Sequence, residues 1–137
     1  MKISCNELAN HLAKTFHATY FISGVEDLLI IESIDAIRQA ASKNDYIDKT
    51  SYTVSGQFNW NEIDNCFKNQ SLFGGKQFVE IHIPSSKPGK KGSESITNLI
   101  ANLPEDVLLV VVAGKLEKST KQTKWVKALF KHAIVID

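Results

Sequence analysis

Apolar residues recur along the chain with two different spacings, and segments of the two kinds alternate. Five short segments are rich in β-branched and aromatic residues, which predicts strands at 18–23, 51–55, 77–83, 107–113 and 133–136. The segment 107–113 is apolar throughout, as expected for a central strand that is covered on both faces. The short segment 51–55 alternates in polarity and is expected near an edge of the sheet.

Between these segments, apolar residues return every three or four positions, which predicts helices. The second helix is predicted to cover about 26–42, and the fourth to be short and to end at Pro104. Three helices are preceded by a capping-box pattern: Ser4 with Glu7, Asn59 with Glu62, and Ser119 with Gln122. The apolar stripes are Leu8, Leu12 and Phe16; Ile30, Ile31, Ile34, Ile37 and Ala41; Trp60, Ile63 and Phe67; Ile96, Leu99, Ile100 and Leu103; and Trp125, Val126, Leu129 and Phe130.

Alternating strands and helices with short connections predict an α/β fold with three layers. The expected sheet is mostly parallel, has about five strands and lies between two helical layers. A length of 137 residues fits one domain with its own core. In such sheets the functional crevice lies beyond the carboxyl ends of the strands, so those ends are where chemistry is sought.

Composition narrows the classes of partner. The 16 basic and 15 acidic residues give a net charge of +1, which provides no global field for nucleic acid or membrane. The longest apolar run, 107–113, is too short to span a bilayer. Cys5 and Cys66 fall in predicted helices with no signal peptide ahead of them, so we expect reduced thiols and a cytoplasmic protein.

The turn after the first predicted strand lacks the residues that hold a nucleotide. Counting forward from Gly24 at the spacing of a P-loop places Leu29, Ile30 and Ile31 where glycine, lysine and a hydroxyl are needed. The inner strands end in Ile83–Pro84 and Gly114–Lys115, without an acidic magnesium ligand. We therefore expect no nucleotide hydrolysis and no cofactor.

Other catalytic or metal chemistry finds little support. The four histidines have no paired spacing suited to a metal: His11, His17, His82 and His132. His82 beside Glu80 is expected to be structural or solvated rather than catalytic. Glu26 and Asp27 are expected to interact with a helix dipole. An α/β enzyme or small-ligand-binding domain that uses the crevice near Gly24 and Gly114 remains the alternative function.

A segment at 85–92 has the composition of a mobile surface loop. It combines proline and glycine with Lys87, Lys90 and Lys91. Together with a later cluster of Lys115, Lys118, Lys121 and Lys124, these lysines could make a weak contact with DNA. Lysines on a loop and on a solvated helix face are more often solubility features.

Two large apolar residues, Leu72 and Phe73, stand between a polar stretch and the glycines Gly74 and Gly75. In one interpretation, Gly74 caps a helix and the pair folds onto the core. In the other, the pair is a hydrophobic plug, displayed at a helix end for insertion into a partner's pocket. The local pattern leaves both interpretations open.

The chain resembles the N-terminal domain of the delta subunit of bacterial DNA polymerase III. The resemblance rests on the order and spacing of several motifs rather than on any single one, and it covers nearly the whole chain. The motifs are Tyr20-Phe21-Ile22-Ser23-Gly24, Leu28-Leu29, Glu32-Ser33, Ile37-Arg38, Trp60, Ser71-Leu72-Phe73, Lys76, the strand to Pro84, Leu108-Leu109-Val110 and Trp125.

The resemblance implies a fold and a function. It implies a P-loop ATPase (AAA+)-like domain over 1–137 without a working nucleotide site, in a clamp-loader subunit that binds the sliding clamp and opens the ring. It implies no catalysis by the domain itself, and contacts with other loader subunits in the full-length protein. The collar and lid regions that complete the family's subunit are absent from this chain, which is therefore not expected to assemble the loader by itself. The domain in isolation is expected to be a monomer.

The resemblance also assigns a clamp-binding element. The family's hydrophobic plug at a helix end matches Leu72 and Phe73, with Ser71 and Gln70 before them. At the position of Gln70 the family usually has a large apolar residue. Gln70 could replace that anchor through its methylenes or through a hydrogen bond.

Overall fold

A computed structural model describes residues 2–24, 26–46, 48–56, 58–65 and 76–136. Within this part of the chain a single sheet has six strands in the order β1-β6-β2-β5-β4-β3, and all neighbouring pairs are parallel. The strands are β1 (Lys2–Ile3), β2 (Thr19–Ile22), β3 (Asp48–Thr53), β4 (Gln77–Ile83), β5 (Val107–Ala113) and β6 (Ile134–Ile136).

The centre of the sheet is formed by the most apolar strands. β5 pairs with β2 on one side and with β4 on the other, and every residue of β5 is buried. Parallel neighbours require crossover connections, and these connections carry the helices. The helices are α1 (Cys5–Lys14), α2 (Asp27–Lys43), α3 (Asn61–Asn65), α4 (Gly89–Ala101), α5 (Lys118–Lys121) and α6 (Lys124–His132).

The helices lie in two layers on the two faces of the sheet. One core cluster joins α1 and α2 to the sheet through Leu8 and Ile37, which pack among strand residues such as Phe78. The other joins α3, α4 and α6 to the opposite face through residues such as Ile96 and Trp125. The three-layer α/β fold expected from the sequence is therefore confirmed.

Two of the predicted strands, 77–83 and 107–113, have the predicted bounds, and α2 differs from its predicted range by one residue at each end. The predicted count of about five strands omitted β1. Two residues are too few to show a periodic pattern, and β1 forms because Lys2 and Ile3 pair with β6. The strand predicted at 51–55 begins earlier, at Asp48, and lies at an edge of the described sheet.

The prediction of a mobile loop at 85–92 was wrong in its second half. Residues 89–92 form the first turn of α4, and Gly92 is buried. A Cβ atom at Gly92 would overlap the indole ring of Trp60 and the ring of Pro88, so only glycine lets the helix approach this closely. The packing of Trp60 thus places the start of α4 beside the start of α3.

The prediction that Ser119 and Gln122 open the last helix was also wrong. Ser119 lies inside the short helix α5, the chain turns at Gln122, and Thr123 is the N-cap residue of α6. The hydroxyl of Thr123 donates to the carbonyl oxygen of Thr120, which holds the turn between the two helices. At α1, the Ser4 hydroxyl donates to the Glu7 carboxylate at 3.1 Å rather than capping a backbone N–H group.

We expect Gly92→Ala to lower the free energy of unfolding by about 1–3 kcal/mol, because the added methyl group overlaps the Trp60 ring. Gly56→Ala is the matched control, since a Cβ atom at Gly56 meets nothing within 4 Å. Urea unfolding followed by tryptophan fluorescence measures both. Equal effects of the two substitutions would contradict the close packing of α4 on Trp60.

Candidate functional site

The turn after β2 and the start of α2 occupy the place where a P-loop would bind phosphate. Gly24 has a φ of 70°, and α2 begins at Asp27 with Glu26 as its N-cap residue. Two carboxylates therefore stand at the positive end of the helix dipole, where an anionic ligand would otherwise bind. This arrangement agrees with the interpretation of Glu26 and Asp27 made from the sequence.

The positions of the P-loop glycine, lysine and hydroxyl are occupied here by the apolar residues Leu29, Ile30 and Ile31. Leu29 and Ile30 are half-buried, and Ile30 packs against the core on the α2 side of the sheet. Leu28 and Ile31 are 64% and 55% exposed. None of these side chains can donate a hydrogen bond to a phosphate or bind magnesium.

The second glycine of the proposed alternative crevice, Gly114, lies against backbone. A Cβ atom there would be 2.6 Å from the carbonyl oxygen of Pro84 and 3.5 Å from the hydroxyl oxygen of Ser86. The ends of β4 and β5 are thus in contact at this point. No observation on the described residues favours a small-ligand site between Gly24 and Gly114.

A cleft of about 580 Å³ lies beyond the ends of β4 and β5, between the start of α4 and the α5–α6 turn. We call it the α4–α6 cleft. Its lining includes Ser86, Lys87, Lys90, Glu94, Thr120 and Lys124. Of the lysines singled out from the sequence, the structure brings Lys87, Lys90 and Lys124 together here, whereas Lys91, Lys115, Lys118 and Lys121 are exposed outside the lining.

A buried carboxylate on β4 links the sheet to α2. Glu80 is 3% exposed and accepts two hydrogen bonds from Arg38, from Nε at 2.6 Å and from Nη2 at 2.8 Å. His82 Nε2 lies 2.8 Å from the same carboxylate, and Asp35 lies 3.7 Å from Arg38. Burial alone would raise the pKa of Glu80, but the hydrogen bonds from His82 and Arg38 and the charge of Arg38 lower it to about 2.

This ion pair has a structural role in the described molecule. The bidentate geometry satisfies both carboxylate oxygens, which is what burial of a charge requires. His82 had been expected to be structural, and its contact with Glu80 agrees with that interpretation. Arg38 had appeared only within the resemblance, because a partner 42 residues away leaves no local signal.

Three of the four histidines lie near the amino ends of β2 and β6. The buried Tyr20 hydroxyl accepts from the His17 backbone N–H at 3.0 Å and lies 3.0 Å from Nε2 of His11. His17 Nε2 donates to the carbonyl oxygen of His132 at 3.0 Å. Burial, and then the nearby His17, lower the pKa of His11. Among the described residues, no group of three His, Cys, Asp or Glu side chains is arranged to hold a metal.

The predicted clamp-binding residues Gln70, Ser71, Leu72 and Phe73 lie outside the described residues, as does Cys66. The chain on both sides of them is held in place. Before them, Trp60 and Ile63 are buried in the core. After them, Lys76 donates to the carbonyl oxygen of Asn44 at 3.1 Å and lies 5.2 Å from the ring centre of Tyr46.

Within the described part of the chain, every helix is too short or too polar to cross a membrane.

Ser86 is a further residue that the sequence did not indicate. It is buried with a φ of 58°, and its hydroxyl has no hydrogen-bond partner among the described residues.

The fold defines a class of protein. The structure is similar to the DNA clamp loader delta protein of Bacillus subtilis, with a TM-score of 0.73 and 18% identity over 96% of this chain and 41% of that one. It is also similar to a DNA polymerase III gamma subunit-related protein of Thermotoga maritima, with a TM-score of 0.55, 7% identity, and coverage of 97% of this chain and 45% of that one. The chain thus has the AAA+-like fold of clamp-loader subunits, as the resemblance implied.

The profile of the family described as DNA polymerase III, delta subunit, matches residues 20–137, and the chain belongs to this family. It is 28% identical over 130 residues to DNA polymerase III subunit delta of Escherichia coli, covering 95% of this chain and 38% of that protein. It is 27% identical over 124 residues to the subunit of Haemophilus influenzae, covering 90% of this chain and 36% of that protein. The chain therefore spans less than two fifths of the length of these relatives.

We expect no adenine nucleotide to bind at the Gly24 turn in the micromolar range, because acidic and apolar residues stand where phosphate and magnesium would be held. Isothermal titration of the chain with ATP, with and without magnesium, measures this. A magnesium-dependent dissociation constant below about 100 μM, near −5.5 kcal/mol, would refute the prediction.

We expect Glu80 to contribute to acid stability. Its pKa of about 2 in the folded state is below the value of about 4.3 in an unfolded chain. The unfolded state therefore binds more protons between these values, and stability falls as the pH falls through this range. Glu80→Gln should weaken this pH dependence and lower the free energy of unfolding at pH 7 by roughly 1–3 kcal/mol.

Urea unfolding between pH 2 and pH 7 measures both effects. Glu32→Gln is the matched control, because Glu32 is exposed on α2, the helix that carries Arg38. If the two variants had the same pH dependence, the buried ion pair would not be the source of the acid sensitivity.

Proposed function

We propose that this chain is the clamp-binding domain of a replication clamp-loader subunit, which binds the DNA polymerase sliding clamp and helps to open its ring. The observation that carries the proposal is the match of residues 20–137 to the delta subunit family. The fold similarity to the clamp loader delta protein of Bacillus subtilis is consistent with it. The domain is a binding module in the cytoplasm, without catalysis or cofactor of its own, and a monomer in isolation.

The contact with the clamp is made by 70–73. Leu72 and Phe73 are the apolar anchors, and Gln70 and Ser71 contribute polar contacts at the rim. Ile63 before this segment is buried and Lys76 after it is hydrogen-bonded to Asn44, so the described residues on both sides belong to the folded scaffold, which supports the assignment.

The wider assembly requires the rest of a loader subunit. The relatives are more than twice as long as this chain. In the proposed assembly, regions beyond this domain hold the other loader subunits, and the domain itself presents the clamp-binding segment.

Alanine substitutions test the clamp contact. Leu72→Ala and Phe73→Ala should each weaken clamp binding by about 2 kcal/mol or more, the scale of interface hot spots, and should leave stability nearly unchanged. Clamp titration by surface plasmon resonance and thermal unfolding of the same variants measure the two effects.

Leu28→Ala is the matched control for these substitutions, because Leu28 is a large apolar residue that is 64% exposed on α2. It should change neither clamp affinity nor stability. If Phe73 is instead part of the core, its truncation should cost about 2–5 kcal/mol of stability. Loss of stability with unchanged affinity in Phe73→Ala would overturn the plug assignment.

A further inference from the structure

Trp60 joins two helices of the same layer. Its carbonyl oxygen accepts from the backbone N–H groups of Ile63 at 3.1 Å and of Asp64 at 3.0 Å, so its backbone begins the first turn of α3. Its buried indole ring lies against the backbone of α4, since a Cβ atom on Gly92 would overlap Cζ2 of the ring and lie 2.6 Å from Cε2. One residue therefore begins α3 and also sets the distance between α3 and α4.

The short helix α3 depends on its neighbours for its position. It has five residues, and a helix of this length is not stable in isolation. Ile63 is the buried residue of α3, and the other four are exposed. Ile63 and Trp60 belong to the core cluster that also contains Ile96 of α4. The orientation of α3 therefore depends on two apolar side chains, Trp60 and Ile63.

The indole ring of Trp60 is enclosed between α4 and aromatic side chains. Phe58 meets the ring edge-on, with 5.1 Å between the ring centres, and Tyr52 of β3 meets Phe58 in the same way at 6.2 Å. A rigid ring that is packed on several sides has little freedom to turn. The position of α4 is thus passed on to α3 through Trp60.

We propose that Trp60 is a positioning residue for the clamp contact, because its indole ring fixes α3 against α4 and so sets where the chain leaves this scaffold. This inference rests on the proposed function, in which 70–73 contact the clamp. That segment closely follows Asn65, the last residue of α3. A change in the angle of α3 displaces the point from which the segment starts. An anchor that is no longer held in its binding position binds more weakly.

Clamp titration of Trp60→Phe tests this role. Phenylalanine keeps an apolar ring in the cluster but lacks the second ring of indole, to which Cζ2 belongs, so the contact with Gly92 is lost. We expect clamp binding to weaken about fivefold or more, at a temperature where thermal unfolding shows the variant to be folded. Trp125→Phe is the matched control, because Trp125 is buried in the same cluster but lies on α6. Equal losses in the two variants would overturn the proposal.

Gly92→Ala perturbs the same contact from the side of α4. The added methyl group displaces the Trp60 ring, so clamp binding should weaken here too, whereas Gly56→Ala should leave it nearly unchanged. This variant carries the test if Trp60→Phe does not fold. Equal clamp affinity in folded Gly92→Ala and in Gly56→Ala would overturn the proposal.

A double-mutant cycle separates positioning from loss of folded protein. If Trp60 acts through Phe73, Trp60→Phe should weaken clamp binding much less in the Phe73→Ala background than in the unsubstituted chain. The same factor in both backgrounds would overturn the proposal, because loss of folded protein gives an equal factor in each.

The same measurements keep the two proposals distinct. Unchanged clamp affinity in Phe73→Ala alone would overturn the proposed function. Weaker binding by Phe73→Ala, together with unchanged binding by Trp60→Phe, would overturn the positioning role and leave the proposed function in place.

Discussion

Parallel pairing on both sides of β5 is the constraint from which the rest of the structure follows. All seven residues of β5 are buried, and its backbone hydrogen bonds to β2 and β4 are available only in a sheet that continues on both sides. Since parallel neighbours cannot be joined by a tight turn, each connection must cross a face of the sheet and cover it with a helix. The two core clusters result from these crossovers.

Because the strands are parallel, their carboxyl ends meet at one edge, and two helices begin there with opposite electrostatics. The start of α2 carries Glu26 and Asp27, so its dipole is offset by carboxylates of the chain itself. The start of α4 carries Lys90 and Lys91 and has no acidic residue in its first turn. The charged side chains at the start of the first helix therefore oppose an anion, whereas those at the start of the second favour one.

The ion pair between Glu80 and Arg38 shows how the sheet and α2 are held in register. Burial of a carboxylate on a central strand is unfavourable unless its oxygens are paired. Arg38 and His82 provide that pairing, and the pKa of about 2 expresses how strongly the charged form is favoured. The interaction joins a helix to a strand 42 residues further along the chain and so fixes the position of α2 over β4.

The sequence by itself determined the alternation of elements, the bounds of β4 and β5 and the extent of α2, because strand and helix periodicity are local properties of buried segments. The order of its motifs also indicated the family and, through it, the expected clamp-binding residues 70–73, which lie outside the described residues. Tertiary structure alone decided β1, which exists through pairing with β6. It also decided the first turn of α4, which is helical despite two glycines and in which Gly92 packs closely against Trp60. It also decided the environments of Glu80 and Ser86. Each of these features depends on residues distant in sequence, whose contacts leave no periodic signal in the segment that they stabilise.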